Sequence, residues 1–239
     1  MKKVKTKSLS DFAEQQQLSS GYSDFKTMSV SLTKNPRLMK VADLLKNHFP
    51  KGKLLDIGCG DGSFSFYLKK LGYDVYGLEL DSRLVGSANK AGLKVTIGSF
   101  LNKFPFKSAY FNVLFAGEVM EHTVDDDFFL KECHRVLRKE GLLILTTPNL
   151  VSLTNRIRMS LGHLPKYAYQ PYHYRIYNLN LITHKLKGAG FKIKFYTASH
   201  ILISRYLNRW YSKIFGPLGE LLGTLFPNLG EQFIFLAKK

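Results

Sequence analysis

Two short stretches hold the residues best able to do chemistry. Leu54 to Gly62 reads LLDIGCGDG, three glycines within five positions behind an apolar run that ends in Asp56. A strand passing through D-x-G-x-G-x-G into a helix offers bare backbone to a ligand at the carboxyl end of a sheet. Glu79 closes the next apolar run, 19 residues after Gly60, and a carboxylate there can accept hydrogen bonds from both hydroxyls of a ribose. Asp56 and Asp61 would repel a pyrophosphate and suit an ammonium group, so a nucleoside-type ligand carrying one is predicted. The second stretch is GEVMEHTVDDD, Gly117 to Asp127. Its imidazole titrates near operating pH, so His122, with Glu118 and Glu121 beside it, could take the proton of a hydroxyl. Alternatively, Glu121 and His122 only orient the loop ahead of a helix.

The elements that position these groups follow from periodicity. KLLDIG, DVYGLEL, LKVTIGS, NVLFAGEV and LLILTTPN read as strands of near-continuous apolar character, separated by helical segments. That alternation predicts an α/β fold, a doubly wound and mostly parallel sheet covered on both faces. DDDFFLKECHRVLRKEG reads as one helix, acidic at its start, basic near its end and stopped by Gly141. LNLITHKLKGAG is a further helix, FKIKFYTAS a sixth strand and EQFIFLAKK a seventh, final edge strand.

LLDIGCGDG, VYGLELD, PFKSAYFNVLFAGEVMEH and RVLRKEGLLILTTPN together resemble the class I S-adenosylmethionine-dependent methyltransferases, over roughly residues 37–199. Within that class it resembles the ubiquinone-biosynthesis, type 11 and type 23 group. The resemblance implies a Rossmann-like seven-stranded sheet with an antiparallel last strand, and S-adenosyl-L-methionine as cofactor. It implies that Asp56, Gly58 and Gly60, with Cys59 and Gly62 in the same turn, hold the methionyl part, and that Glu79 and Leu80 hold the ribose. Glu118 would border the cofactor. Where the family often has an acid to read the adenine amine, this chain has Ser99, so main chain near Phe100 would supply the contact. The spacing E-x-x-E-H is similar to that of the ubiquinone-biosynthesis and small-RNA 2′-O-methyltransferases. There it implies a divalent ion, here on Glu118, Glu121, His122 and the later His173, although such segments also occur without metal.

The chain of 239 residues is expected to be a single domain. Residues 1–50 would be an N-terminal helical lid, with Tyr22 and Arg37 closing over the cofactor, and 51–149 the cofactor-binding core. Residues 150–178 would be a substrate-side lid, and 179–239 the rest of the sheet with an amphipathic insertion at 200–230. Arg156, His173, Arg175 and Tyr177 of the substrate-side lid are the predicted acceptor contacts, in a wall that mixes arginine with tyrosine, Tyr169 included. The alternative is a surface lid whose tyrosines pack and whose arginines are solvated.

In the insertion, Ile203, Leu207, Trp210 and Ile214 form an apolar stripe beside a basic one of Arg205, Arg209 and Lys213. That pattern suits either an interfacial helix on anionic lipid, through 200–226, or a cap packed on the domain or a second subunit. Net charge is +17, and the 79 residues from 141 to 219 hold eleven Lys/Arg and no carboxylate. An anionic or membrane-borne partner is therefore expected. Two cysteines and no signal-peptide or membrane-spanning pattern suggest a cytoplasmic protein, peripheral on the inner membrane face if the insertion binds lipid. The leading expectation is methyl transfer to a hydroxyl of a small, glycan, quinol or lipid-linked acceptor. The alternatives are an RNA 2′-O-methyltransferase, for which no separate RNA-binding module is evident, and a non-catalytic membrane-surface protein.

Overall fold

Burial on both faces makes the central strands. In β1 (Lys53–Ile57) every residue after the first is buried, Asp56 included. A computed structural model gives the fold and describes residues 35–48, 51–168, 170, 172–201 and 209–239. Tyr22, Tyr169 and Ile203 to Leu207 lie outside these, as do the side chains of Arg209, Trp210, Lys213 and Ile214.

The chain continues through α2 (Ser63–Lys70), β2 (Asp74–Glu79), α3 (Ser82–Lys90), β3 (Lys94–Ile97) and β4 (Phe111–Gly117), after α1 (Pro36–His48) ahead of β1. A 3₁₀ turn (Met120–His122), α4 (Asp126–Val136), β5 (Leu137–Pro148), α5 (Leu153–Ser160), α6 (Leu179–Gly188) and β6 (Lys192–Ala198) come next. α7 (Arg209–Leu225), a second 3₁₀ turn (Pro227–Leu229) and β7 (Gln232–Lys238) complete it. The seven strands form one sheet in the order β3-β2-β1-β4-β5-β7-β6. β1 pairs in parallel with β2 on one side and β4 on the other, so strand order reverses there and a crevice opens at the carboxyl ends. β7 is antiparallel to both its neighbours.

Two expectations need correction. β7 is not an edge strand: it lies between β5 and β6, and β6 takes the edge. The long helix ends at Val136, and β5 already starts at Leu137. Leu137 pairs with Phe111, but the next partner of β4, Val113, faces Leu142. Arg138–Gly141 is therefore a bulge with Glu140 in the left-handed region, φ 66°, rather than a helix end. Gly141 belongs to that bulge, since a Cβ on it would lie 2.8 Å from the Arg138 carbonyl oxygen. The acidic helix start is as expected, with Asp125 capping α4 by accepting from the Phe128 N–H at 2.8 Å.

α1, the described part of the expected N-terminal lid, is a covering layer of the sheet. Its Val41, Ala42 and Leu45 are buried against Leu54, Val75, Val113 and Ile144. The opposite face packs α4 and α6 onto Leu55, Ile57, Leu114 and Leu145. Among the described residues, no helix is long and apolar enough to cross a membrane.

Candidate active site

The three glycines of the turn after β1 do different work. A Cβ on Gly60 would meet nothing within 4 Å, so this residue faces the open crevice. Its N–H donates to Glu79 Oε2 at 2.9 Å, fixing the turn against the end of β2. Gly62 starts α2 with φ 78°, and its Cβ would lie 2.6 Å from Leu93 Cδ1. That glycine is required by its packing against Ala88 of α3 and Leu93. Gly58 backs onto Val119, with the Phe100 ring next nearest. Cys59 is turned inward under Gly77 and buried, so it can offer a ligand only its main chain.

Glu79 accepts from the Leu80 and Asp81 N–H groups with its other oxygen, at 2.8 and 3.0 Å. Those donors pin the carboxylate at the crevice while lone pairs remain to meet hydroxyls. Asp56 is buried and accepts from Ser65 Oγ at 2.6 Å. Burial, reinforced by Glu79, raises its pKa to about 7, against the pull of Ser65 and Arg37. Ser99 is buried and its Oγ accepts from the Leu101 N–H at 3.1 Å, inside its own loop.

Arg37, given only a minor part in the sequence reading, is central. It reaches from α1 to the carboxyl ends of β4 and β5, donating to Thr146 Oγ1 at 2.7 Å. Its buried Nε has no partner, and its charge opposes those of Asp56 and Glu121. Only NPR, well ahead of the first glycine, could have signalled it.

After β4 the chain bends sharply at Glu118, φ 58°, whose N–H bonds the Thr146 carbonyl at 3.0 Å. This bend turns Glu121 inward: it is 2% exposed, and Oε2 accepts from Thr147 Oγ1 at 3.2 Å. Oε1 of Glu121 and Oε1 of Glu118 are buried without partners. Burial first, then Glu118, pushes the Glu121 pKa up to about 8.

His122 lies beside His173, ring centroids 4.7 Å apart and edge to face, and its Nδ1 is 3.1 Å from the Tyr172 carbonyl. Tyr172 holds φ 79° to present that carbonyl. Burial lowers the pKa of both imidazoles, that of His173 to about 4 with His122 contributing. One ligand atom each from Glu121, His122 and His173 falls within 4.8 Å of the others. Glu118 stands outside that trio but close enough to act on Glu121.

Glu121 and His173 line a small cavity of about 10 Å³ with Thr147, Leu150, Tyr167 and Arg175. Arg175 is fixed there by its N–H to the Glu121 carbonyl and its guanidinium to the Val124 carbonyl. Two predicted acceptor contacts are not in this cavity. Tyr177 is buried, its hydroxyl 3.1 Å from Asp126 Oδ2, and it anchors the lid instead. Arg156 is exposed on α5, bonded to the Val151 carbonyl.

Against this geometry stand the likenesses to known proteins. The family of methyltransferase domains matches residues 55–145.

Among curated relatives, a "Probable S-adenosylmethionine-dependent methyltransferase" of Mycolicibacterium smegmatis is 31% identical over 142 residues, 59% of this chain and 52% of its own. A ubiquinone biosynthesis O-methyltransferase of Pelagibacter ubique is 34% identical over 101 residues, 41% of this chain and 42% of its own. The chain spans about half the length of the curated relatives it matches. The fold is shared with a SAM-dependent methyltransferase from Archaeoglobus fulgidus, TM-score 0.61 at 17% identity, covering 90% of this chain and 95% of that one.

S-adenosylmethionine stands in the names of several of these relatives, and the residues present in this chain fit it. Gly60 leaves the space a ligand needs, Glu79 is held ready for the ribose, and the buried Asp56 lacks a full counter-charge that an ammonium would bring. Arg37, with its unpartnered Nε, is placed to meet the methionine carboxylate. The donor set of Glu121, His122 and His173, with the orphaned Glu118 oxygen nearby, likewise fits a divalent cation.

Proposed function

We propose that this methyltransferase methylates a hydroxyl of a small anionic acceptor seated under the lid of residues 150–178. The observation that carries the reading is the meeting of Glu121, His122 and His173 beside a pocket that Glu121, His173 and Arg175 line. The bound cofactor supplies an already activated methyl group, so the chain's task is alignment and proton removal. Alignment in a closed site can lower the barrier by roughly 7–11 kcal/mol.

His122 takes the hydroxyl proton. Nδ1–H donating to the Tyr172 carbonyl sets the tautomer, which puts the basic lone pair on Nε2. Burial keeps the ring neutral near pH 7, and a positioned base adds about 10²–10⁴-fold. Arg175 binds the acceptor's anionic group, while Tyr167 and Leu150 cover its apolar part and exclude water. The oxygen acceptor is supported by the O-methyltransferase among the relatives.

A second reading is favoured by the trio of ligand atoms. Glu121, His122 and His173 would hold a divalent cation, whose chemistry is to acidify the acceptor hydroxyl. The paired features of a carboxyl raised by burial and two imidazoles kept neutral suit such an ion, because it would compensate the one and use the lone pairs of the others.

Both readings are tested by incubating the enzyme with methyl-labelled cofactor and fractions of phenols, phosphorylated sugars, lipid extract and RNA. O-methylated anionic product is expected; product labelled only on nitrogen or carbon overturns the hydroxyl reading. Turnover indifferent to EDTA removes the cation.

A further inference from the structure

The described end of α7, from Pro217 onward, is amphipathic in the reverse sense. Its covered side is glycine: a Cβ on Gly219 would lie 2.8 Å from the Ile201 carbonyl oxygen, and one on Gly223 3.0 Å from His200 Cα. The helix therefore rests backbone on backbone against the segment leaving β6. The Ile201 N–H bonds the Gly219 carbonyl at 2.9 Å, and Lys40 of α1 clamps the Glu220 carbonyl and the Thr224 hydroxyl. The leucines point the other way. Leu218, Leu221 and Leu225 are 47–61% exposed, and their i, i+3, i+7 spacing puts them on one stripe, which Phe226 extends. A helix present only to shield the sheet would bury its leucines, so this stripe is available to something else.

The surroundings say what. β6 ends and β7 begins beside Pro148, the last residue of β5, so the insertion rises from the same sheet edge as the cavity. Asn149 donates to the Asn228 and Gly230 carbonyls, tying the end of the insertion to the root of the substrate-side lid. That lid also exposes Leu161 and Leu164. Both segments sit in an acid-poor part of the chain: residues 141–219 hold eleven Lys/Arg and no carboxylate. The one carboxylate of α7, Glu220, is half-buried. Among the described residues, the exposed Arg156 and Arg175 bond main-chain carbonyls and no carboxylate. Asp43 of α1 is an exposed carboxylate beside Lys40 and Thr224, but the insertion and the lid are otherwise basic. Apolar side chains in such surroundings match a surface with acyl chains below and anionic headgroups above. A second copy of this chain would bring the same basic surroundings and be repelled.

We propose that this face, with α7 at its centre, docks on an anionic lipid surface. The proposal does not depend on the methyl acceptor. It is tested by sedimenting the full chain with vesicles of phosphatidylcholine alone or doped with phosphatidylglycerol, while calorimetry with the cofactor reports folding. Binding to the anionic vesicles only is expected, weakened by salt. Leu218→Ser/Leu221→Ser/Leu225→Ser should reduce it at least ~10-fold with cofactor affinity unchanged. Should the triple variant lose its melting transition, Leu225→Ser/Phe226→Ser at the helix end repeats the test. No binding to anionic vesicles overturns the proposal, and so does binding that the leucine variants retain. A wild-type dimer that the triple variant breaks, with no vesicle binding, overturns it in favour of a second copy.

Discussion

The Gly60 N–H donates to the Glu79 carboxylate across 2.9 Å, so the tip of the first βα turn is held by the residue that ends the second strand. Gly60 and Gly62 share a positive φ, which a Cβ would make costly by ~1–2 kcal/mol, yet they differ in what that Cβ would meet. Gly60→Ala projects into the open crevice and should weaken cofactor binding at least ~10-fold, about 1.4 kcal/mol, with a modest fall in melting temperature. Gly62→Ala collides with Leu93 and Ala88 and should melt much earlier while the protein that stays folded binds nearly as well. Calorimetry and thermal melts on the pair decide this, and the reverse ordering would remove the ligand from Gly60.

Asp56 makes cofactor binding depend on pH. Its folded pKa is raised from 3.8 to about 7, so between those values the folded chain holds a proton that the unfolded chain has lost. Stability from this group is thus lost as pH rises through the window, the opposite of a salt-bridged aspartate. A cationic ligand favours the ionised form. Affinity should therefore climb as pH rises toward 7, by up to ~10-fold per unit, and level off above it. Titration calorimetry across this range should show the slope for wild type and a flat, weaker profile for Asp56→Asn; a slope that survives the substitution assigns it elsewhere.

His122 is the residue whose loss should separate chemistry from binding. His122→Ala should lower kcat by ~10²–10⁴-fold and leave cofactor affinity intact, because the ring lies on the acceptor side. Glu121→Gln keeps the shape and the Thr147 contact but cannot serve as a charged ligand. If a cation is held, the Gln variant loses turnover that added Mg²⁺ or Mn²⁺ does not restore. Unchanged turnover in His122→Ala would defeat both proton removal and ion binding at this residue.

What could be read from the sequence tracks how local the cause is. β1, β2 and β4 were legible because strands buried on both faces must be apolar throughout, and the first glycine turn because its three positive-φ positions demand glycine. The start of β5 was not, since Arg138, Lys139 and Glu140 look helical and only the pairing of Leu137 with Phe111 makes them a bulge. The order of β6 and β7 was hidden for a similar reason: both are short apolar runs, and which lies at the edge depends on partners far away in sequence. Glu121, His122 and His173 were each singled out, yet their meeting depends on the lid's path, with Tyr172 in a left-handed conformation. Arg37 lay beyond any motif, its role created by the packing of α1.

Tyr177 and Arg175 stand two positions apart in the lid and should respond to substitution in opposite ways. The Tyr177 hydroxyl bonds Asp126, which Lys185 also reaches at 2.8 Å, all beneath the lid. Tyr177→Phe leaves the aspartate to Lys185 and should cost about 1–2 kcal/mol, roughly 2–8 °C in melting temperature for a domain of this size. The acceptor's KM should not move. Arg175 faces the cavity and its guanidinium bonds an exposed carbonyl, so Arg175→Gln should barely change the melt but raise KM for an anionic acceptor about 10-fold, with kcat kept. If KM rises in Tyr177→Phe and not in Arg175→Gln, the anionic group lies deeper than the lid arginine and the acceptor must enter by another face.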